Sequence, residues 1–88
     1  MTDKNDVVIY SKAYCPYCDH AKNLLDSKGI AYTELRIDQD PQALAAMQAL
    51  TNNARTVPQI IIKGQAIGGF DDLKALNDAG KLDDFFKH

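Results

Sequence analysis

Cys15-Pro16-Tyr17-Cys18 stands directly between a strand-like run and a helix-like run, and both cysteines of the chain lie in it. That placement constrains the fold strongly. The chain must end a strand, turn and open a helix within a few residues, with both thiols at the turn. Thiolate, not thiol, is the nucleophile, and a helix N-terminus stabilises negative charge. A free cysteine with a pKa near ~8.5 is only about 3% ionised at pH 7, whereas one lowered below ~6 is mostly ionised. Residues three apart on a helix have Cβ atoms only ~5–6 Å apart, so these sulfurs can be bridged with little backbone movement. The motif points to thiol–disulfide chemistry. Cys15, at the helix tip, is the expected exposed nucleophile, and Cys18, one turn in, the resolving cysteine. Tyr17 lies between them and can wall the site.

Other readings of the two cysteines compete. Tetrahedral zinc wants four ligands, and the chain offers these cysteines with His20 and His88. No second pair has ligand spacing, so no metal site is expected. An inert structural disulfide is disfavoured where the compartment reduces such bonds. Chance burial of two free cysteines does not account for the helix start.

The chain has 88 residues, enough for one modest core, so residues 1–88 are expected to form a single domain. It is 45% hydrophobic and 25% charged, in keeping with a globular protein. Ten Lys+Arg against twelve Asp+Glu leave a net charge of −2, spread without a basic run. Nucleic acid and anionic membrane are therefore not expected partners. No apolar stretch approaches the ~20 residues that cross a bilayer. The polar segment from Met1 to Asp6 lacks a signal-peptide core, so a cytoplasmic location is expected.

Val7-Val8-Ile9-Tyr10 reads as a strand buried on both faces, and Ser11 to Tyr14 as a loop. Pro16 suits a first helical turn. Ala21, Leu24 and Leu25 follow at helical spacing, with Gly29 as the C-terminal cap. Ile30 to Ile37 alternates as a second strand. Asp40-Pro41 opens a second helix with the stripe Leu44, Met47 and Leu50, which should fray at Thr51-Asn52-Asn53. Gln59 to Ile62 is a third strand, Lys63-Gly64-Gln65 a tight turn, and Ala66-Ile67 a return strand. Asp71 or Asp72 should cap a third helix carrying Leu73 and Leu76 and ending at Gly80. Leu82 to Phe86 could add a helical turn. The order β-α-β-α-β-β-α combines a parallel pair with an antiparallel hairpin. It predicts an α/β fold of thioredoxin-like architecture, a four-stranded mixed sheet flanked by three or more helices.

Three further segments carry candidate chemistry. Lys12 precedes Cys15 by three residues and could stabilise a thiolate or bind a carboxylate, although most lysines are simply solvated. In Thr56-Val57-Pro58 the proline holds Val57 extended. A cis bond there would let Val57 offer its backbone to an extended peptide, but sequence alone predicts trans. Gly68-Gly69-Phe70-Asp71-Asp72 runs from a glycine hinge into a helix N-terminus, whose free N–H groups bind carboxylates. Plain capping explains one of the two aspartates but not both.

Together these residues resemble a glutaredoxin of the short bacterial dithiol type. The matching segments are Tyr10-Ser11-Lys12, Cys15-Pro16-Tyr17-Cys18, Thr56-Val57-Pro58-Gln59-Ile60 and Gly68-Gly69-Phe70-Asp71-Asp72-Leu73, in order and across essentially the whole chain. The resemblance implies a glutathione-dependent thiol–disulfide oxidoreductase acting on protein disulfides and glutathione mixed disulfides. Glutathione would be a co-substrate rather than a bound cofactor, and the protein partners would be disulfide-containing or glutathionylated proteins. Separately, a monomer is expected. The resemblance also implies a cis Val57-Pro58 bond and a glutathione site made of Lys12, Tyr17, Thr56, Val57, Pro58, Gly69, Phe70, Asp71 and Asp72. In some family members a polar or basic residue near the position of Arg55 also reaches the glycine carboxylate. Two alternatives remain open at this point. One is an electron donor fed by thioredoxin reductase; the other is an iron–sulfur-binding glutaredoxin, which Pro16-Tyr17 generally disfavours.

Overall fold

The computed structural model describes residues 6–86. Strand β1 (Val7–Ser11) leads through a short loop into helix α1 (Pro16–Ser27). Then follow β2 (Thr33–Arg36), α2 (Pro41–Leu50), the hairpin β3 (Gln59–Ile62) and β4 (Gln65–Gly68), and α3 (Phe70–Asp78). A final 3-10 turn spans Asp83–Phe86. The sheet order is β2-β1-β3-β4. β1 pairs parallel with β2 and antiparallel with β3, and β3 pairs antiparallel with β4. This is the thioredoxin-like mixed sheet expected from the element order.

The continuous apolar runs of the central strands have a direct cause: both faces of the sheet are covered. Val7, Ile9, Ile60 and Ile62 face a core with Ala21 and Leu25 of α1, Leu73 of α3 and Leu82. Tyr10 and Ile61 face the opposite way, against Ala43 and Met47 of α2. Successive strand residues point to opposite faces, so one tetrapeptide serves two cores. Pro16 and Pro41 stand at the first turns of α1 and α2, and Asp40 caps α2 by accepting the Gln42 N–H at 2.9 Å.

Four local expectations are corrected. β2 is shorter than Ile30–Ile37 because parallel pairing begins at Val8 with Thr33, and the chain turns after Arg36. Ile30 is nevertheless buried, held by its N–H to the Leu25 carbonyl at 2.9 Å. Leu50, assigned to the apolar stripe, is 47% exposed: it is the last residue of α2, past the cluster that Ala43, Leu44 and Met47 form with the sheet. The end of α2 does not fray. Thr51 Oγ1 donates to the Met47 carbonyl at 2.5 Å, and the Asn53 N–H reaches the Gln48 carbonyl at 2.8 Å. Helix α3 begins at Phe70 with Gly69 as its N-cap, so neither aspartate is the cap residue; Asp72 acts from the first turn instead.

Candidate active site

The strand-to-helix junction shapes the reactive end of the molecule. Cys15 is the N-cap of α1, with extended backbone at φ −115° and ψ 98°. Its sulfur accepts the Cys18 backbone N–H at 3.1 Å. An N-cap side chain normally supplies an oxygen to such an unpaired donor; here a disulfide sulfur occupies the place, and on reduction the thiolate charge of Cys15 would meet the positive end of the helix. Cys15 is partly exposed, whereas Cys18 is 1% exposed. The two form a disulfide with their Cα atoms 5.2 Å apart, inside the usual range.

The loop before Cys15 is tied down. The Ala13 N–H donates to Asp38 Oδ2 at 3.1 Å. Arg36 grips the same carboxylate through Nε at 2.8 Å and Nη2 at 2.7 Å. The Arg36 guanidinium, helped by the Ala13 N–H, holds the Asp38 carboxyl far below the usual carboxylate range. Behind the loop, the buried Ser11 hydroxyl donates to Glu34 Oε2 at 2.6 Å, and Lys22 Nζ donates to the same oxygen at 3.0 Å. Burial pushes the Glu34 pKa up, but these two donors outweigh it and the net shift is downward.

A groove of about 370 Å³ opens beside the motif. Tyr17 forms one wall, Thr56, Val57, Pro58 and Gln59 the floor, and Gly68 through Asp72 the other wall. The Val57-Pro58 bond is cis, and the Val57 carbonyl oxygen lies 3.8 Å from Cys15 Sγ. Tyr17 faces Phe70 with ring centroids 6.2 Å apart. The N–H groups in the first turn of α3 open this wall to an anion. Asp72 Oδ2 accepts the Gly69 N–H at 3.1 Å, whereas Asp71 makes no hydrogen bond or salt bridge among the described residues. Capping therefore occupies Asp72 in part and leaves Asp71 available.

The structure thus gathers Tyr17, Thr56, Val57, Pro58, Gly69, Phe70, Asp71 and Asp72 around one groove. Lys12 is not among its lining residues; it is exposed on the β1–α1 loop, as Arg55 is on the loop before Thr56. Three residues take roles here that the sequence does not assign them. Gln59, only 7% exposed, donates its side-chain amide to the Thr56 carbonyl at 3.0 Å and hydroxyl at 3.3 Å, locking the turn across Val57-Pro58. Gly68, at φ 118°, gives way to the Asp72 carboxylate, which a Cβ there would strike. The His20 ring lies 5.6 Å from that of Phe70 and 6.1 Å from that of Tyr17. A polar side chain next to a turn proline was the available signal for Gln59; Gly68 stood out only as part of a glycine hinge and His20 only as a possible zinc ligand. His88, considered as a zinc ligand, lies outside the described residues, and no cluster of three metal-ligating groups occurs among the described ones.

Comparison with known proteins agrees with this architecture. The glutaredoxin family model matches residues 7–67. The glutaredoxin of Pseudomonas aeruginosa is 51% identical over 77 residues, covering 88% of this chain and 90% of that protein. Glutaredoxin 3 of Escherichia coli K12 is 48% identical over 83 residues, covering 93% and 98%. Among solved structures, the buckwheat glutaredoxin–glutathione complex superposes with a TM-score of 0.81 at 36% identity, covering 91% of this chain and 74% of that one. With a reactive cysteine pair at a helix N-cap and the thioredoxin-like sheet behind it, the chain belongs to the glutaredoxin family and is a thiol–disulfide oxidoreductase.

Proposed function

We propose that this protein uses glutathione as its electron donor and reduces protein disulfides and glutathione mixed disulfides. One observation carries the reading: the groove beside Cys15, whose Sγ lies 3.8 Å from the Val57 carbonyl oxygen, has a peptide backbone at Val57 and a helix N-terminus suited to an anion at Phe70 and Asp71. Glutathione is a short peptide with two carboxylates and one ammonium. Its cysteine would sit over Cys15 beside Tyr17, and its backbone would lie along Val57. Its γ-glutamyl end would place a carboxylate at the α3 N–H groups and its ammonium at Asp71. Lys12, exposed on its loop, would take the glycine carboxylate. The buckwheat structure, a complex with glutathione, supports a ligand of this kind.

Cys15 thiolate attacks the substrate disulfide. That bond breaks, a Cys15–substrate disulfide forms, and one sulfur leaves as thiolate. In the monothiol route a glutathione occupies Cys15, and a second glutathione thiolate attacks it, leaving as oxidised glutathione and freeing Cys15. In the dithiol route Cys18 displaces the substrate and forms the intramolecular bond, which two glutathiones then reduce. Rates follow thiolate fraction, nucleophilicity and leaving-group pKa.

The test couples the protein to glutathione, glutathione reductase and NADPH with a small glutathione mixed disulfide. Turnover that survives Cys18→Ser and disappears in Cys15→Ser is the expected result. No turnover, with activity appearing on thioredoxin reductase instead, would overturn the glutathione reading. Visible absorbance after anaerobic purification, with no activity from either donor, would replace it with cluster binding.

A further inference from the structure

Three large hydrophobic side chains are exposed among the described residues: Tyr14, Tyr17 and Leu50. Two of them bracket Cys15. Tyr17 borders the groove and contacts the His20 and Phe70 rings. Tyr14 does neither, and it is fully exposed at 101%. Its backbone sits at φ 58°, in the left-handed region, where a bulky side chain is an outlier. Glycine or asparagine would adopt that conformation at lower cost, so the fold supplies no reason for tyrosine.

The ring nevertheless stands on a fixed base. On one side the Ala13 N–H is held by Asp38, itself gripped by Arg36. On the other side Cys15 caps α1. An exposed aromatic with few rotatable bonds, on a rigid base, loses little entropy on contact and offers large apolar area. Functional sites are also where unfavourable backbone conformations collect.

We propose that Tyr14 is a specificity-determining residue that contacts apolar polypeptide flanking the disulfide under attack. A polypeptide around the disulfide offers far more apolar surface to the ring than a small disulfide does. In the reaction, Cys15 thiolate breaks the substrate disulfide, forms the mixed disulfide and expels one substrate thiolate. Cys18 then expels the other, so the substrate gains two electrons and the protein becomes the Cys15–Cys18 disulfide. Tyr14 acts by holding the polypeptide during the first step.

The inference needs only exchange at Cys15, not the identity of the thiol donor, so its test omits glutathione. Protein pre-reduced with dithiothreitol and desalted is mixed in single turnover with bis(2-hydroxyethyl) disulfide and, separately, with insulin. Tyr14→Asn, chosen to suit the backbone, should slow the insulin reaction about tenfold, as expected when part of an aromatic contact is removed. It should leave the small-disulfide rate and the alkylation rate of Cys15 within about twofold. Tyr14→Phe should keep both exchange rates. An equal loss on both substrates, an unchanged insulin rate, a changed alkylation rate, or Tyr14→Phe as slow as Tyr14→Asn would each overturn the proposal.

Discussion

Gly68 and Gly69 are adjacent glycines with opposite tolerance for a side chain, and replacing each by alanine separates two physical effects. Gly68 has φ 118°, and a Cβ there would collide with the Asp72 carboxylate. Two costs follow for Gly68→Ala. An L-residue in a sparsely populated backbone region costs about 1–3 kcal/mol. Displacing Asp72 from its 3.1 Å bond to the Gly69 N–H removes a helix-end contact, a loss of about 1 kcal/mol. The sum is about 3 kcal/mol, which in a domain of this size lowers Tm by about 12–24 °C. Gly69 has φ −88°, and its added Cβ would meet only the Pro58 carbonyl oxygen at 3.5 Å, an ordinary contact. Gly69→Ala should therefore stay within about 0.5 kcal/mol of the parent. Thermal unfolding followed by circular dichroism reads both. Equal shifts for the two variants, or a larger one for Gly69→Ala, would refute the steric argument.

Other perturbations address the rest of the site. Gln59→Leu removes both bonds that lock the Thr56 turn; it should cost about 1–2 kcal/mol in urea unfolding and raise the glutathione KM more than it lowers kcat. Asp38→Ala frees the Ala13 N–H, and amide hydrogen exchange at Ala13 should rise well above that of β1. Glu34 and Asp38 both have folded-state pKa values below their ordinary ones. Their stabilisation is therefore complete above the unfolded carboxylate range of about pH 4 and is lost as pH falls through the folded values. Stability should decline below about pH 4.5, and Glu34→Gln should make that decline shallower; an unchanged slope would dismiss Glu34 as a contributor.

The parts of this fold legible in the sequence were those set by local chemistry. Pro16 and Pro41 marked helix starts because a missing N–H costs nothing there, and the apolar run Val7 to Tyr10 announced a strand covered on both faces. What escaped was decided at a distance. The length of β2 depends on where β1 offers partners, which the alternation from Ile30 to Ile37 does not encode. Leu50 carries the helical spacing of a core residue but lies past the apolar cluster that would cover it. The start of α3 moved to Phe70 because Asp72 caps backwards from the first turn, a role that sequence assigns equally well to a cap residue. The cis Val57-Pro58 bond ran against the intrinsic preference for trans and followed only from the family resemblance. Asp38 acts on the backbone N–H of Ala13, 25 residues away, and no spacing rule identifies such a partner.

The central claim is that the α1 N-cap makes Cys15, not Cys18, the nucleophile. The most direct measurement is alkylation of the reduced protein with limiting iodoacetamide from pH 4 to 10, with mass spectrometry assigning the label to each cysteine. The account predicts that Cys15 is labelled first at every pH, with half-maximal rate well below the ~8.5 of a free thiol. It also predicts that Cys18 is labelled only slowly. Preferential labelling of Cys18, or a Cys15 profile centred near that of a free thiol, would contradict it.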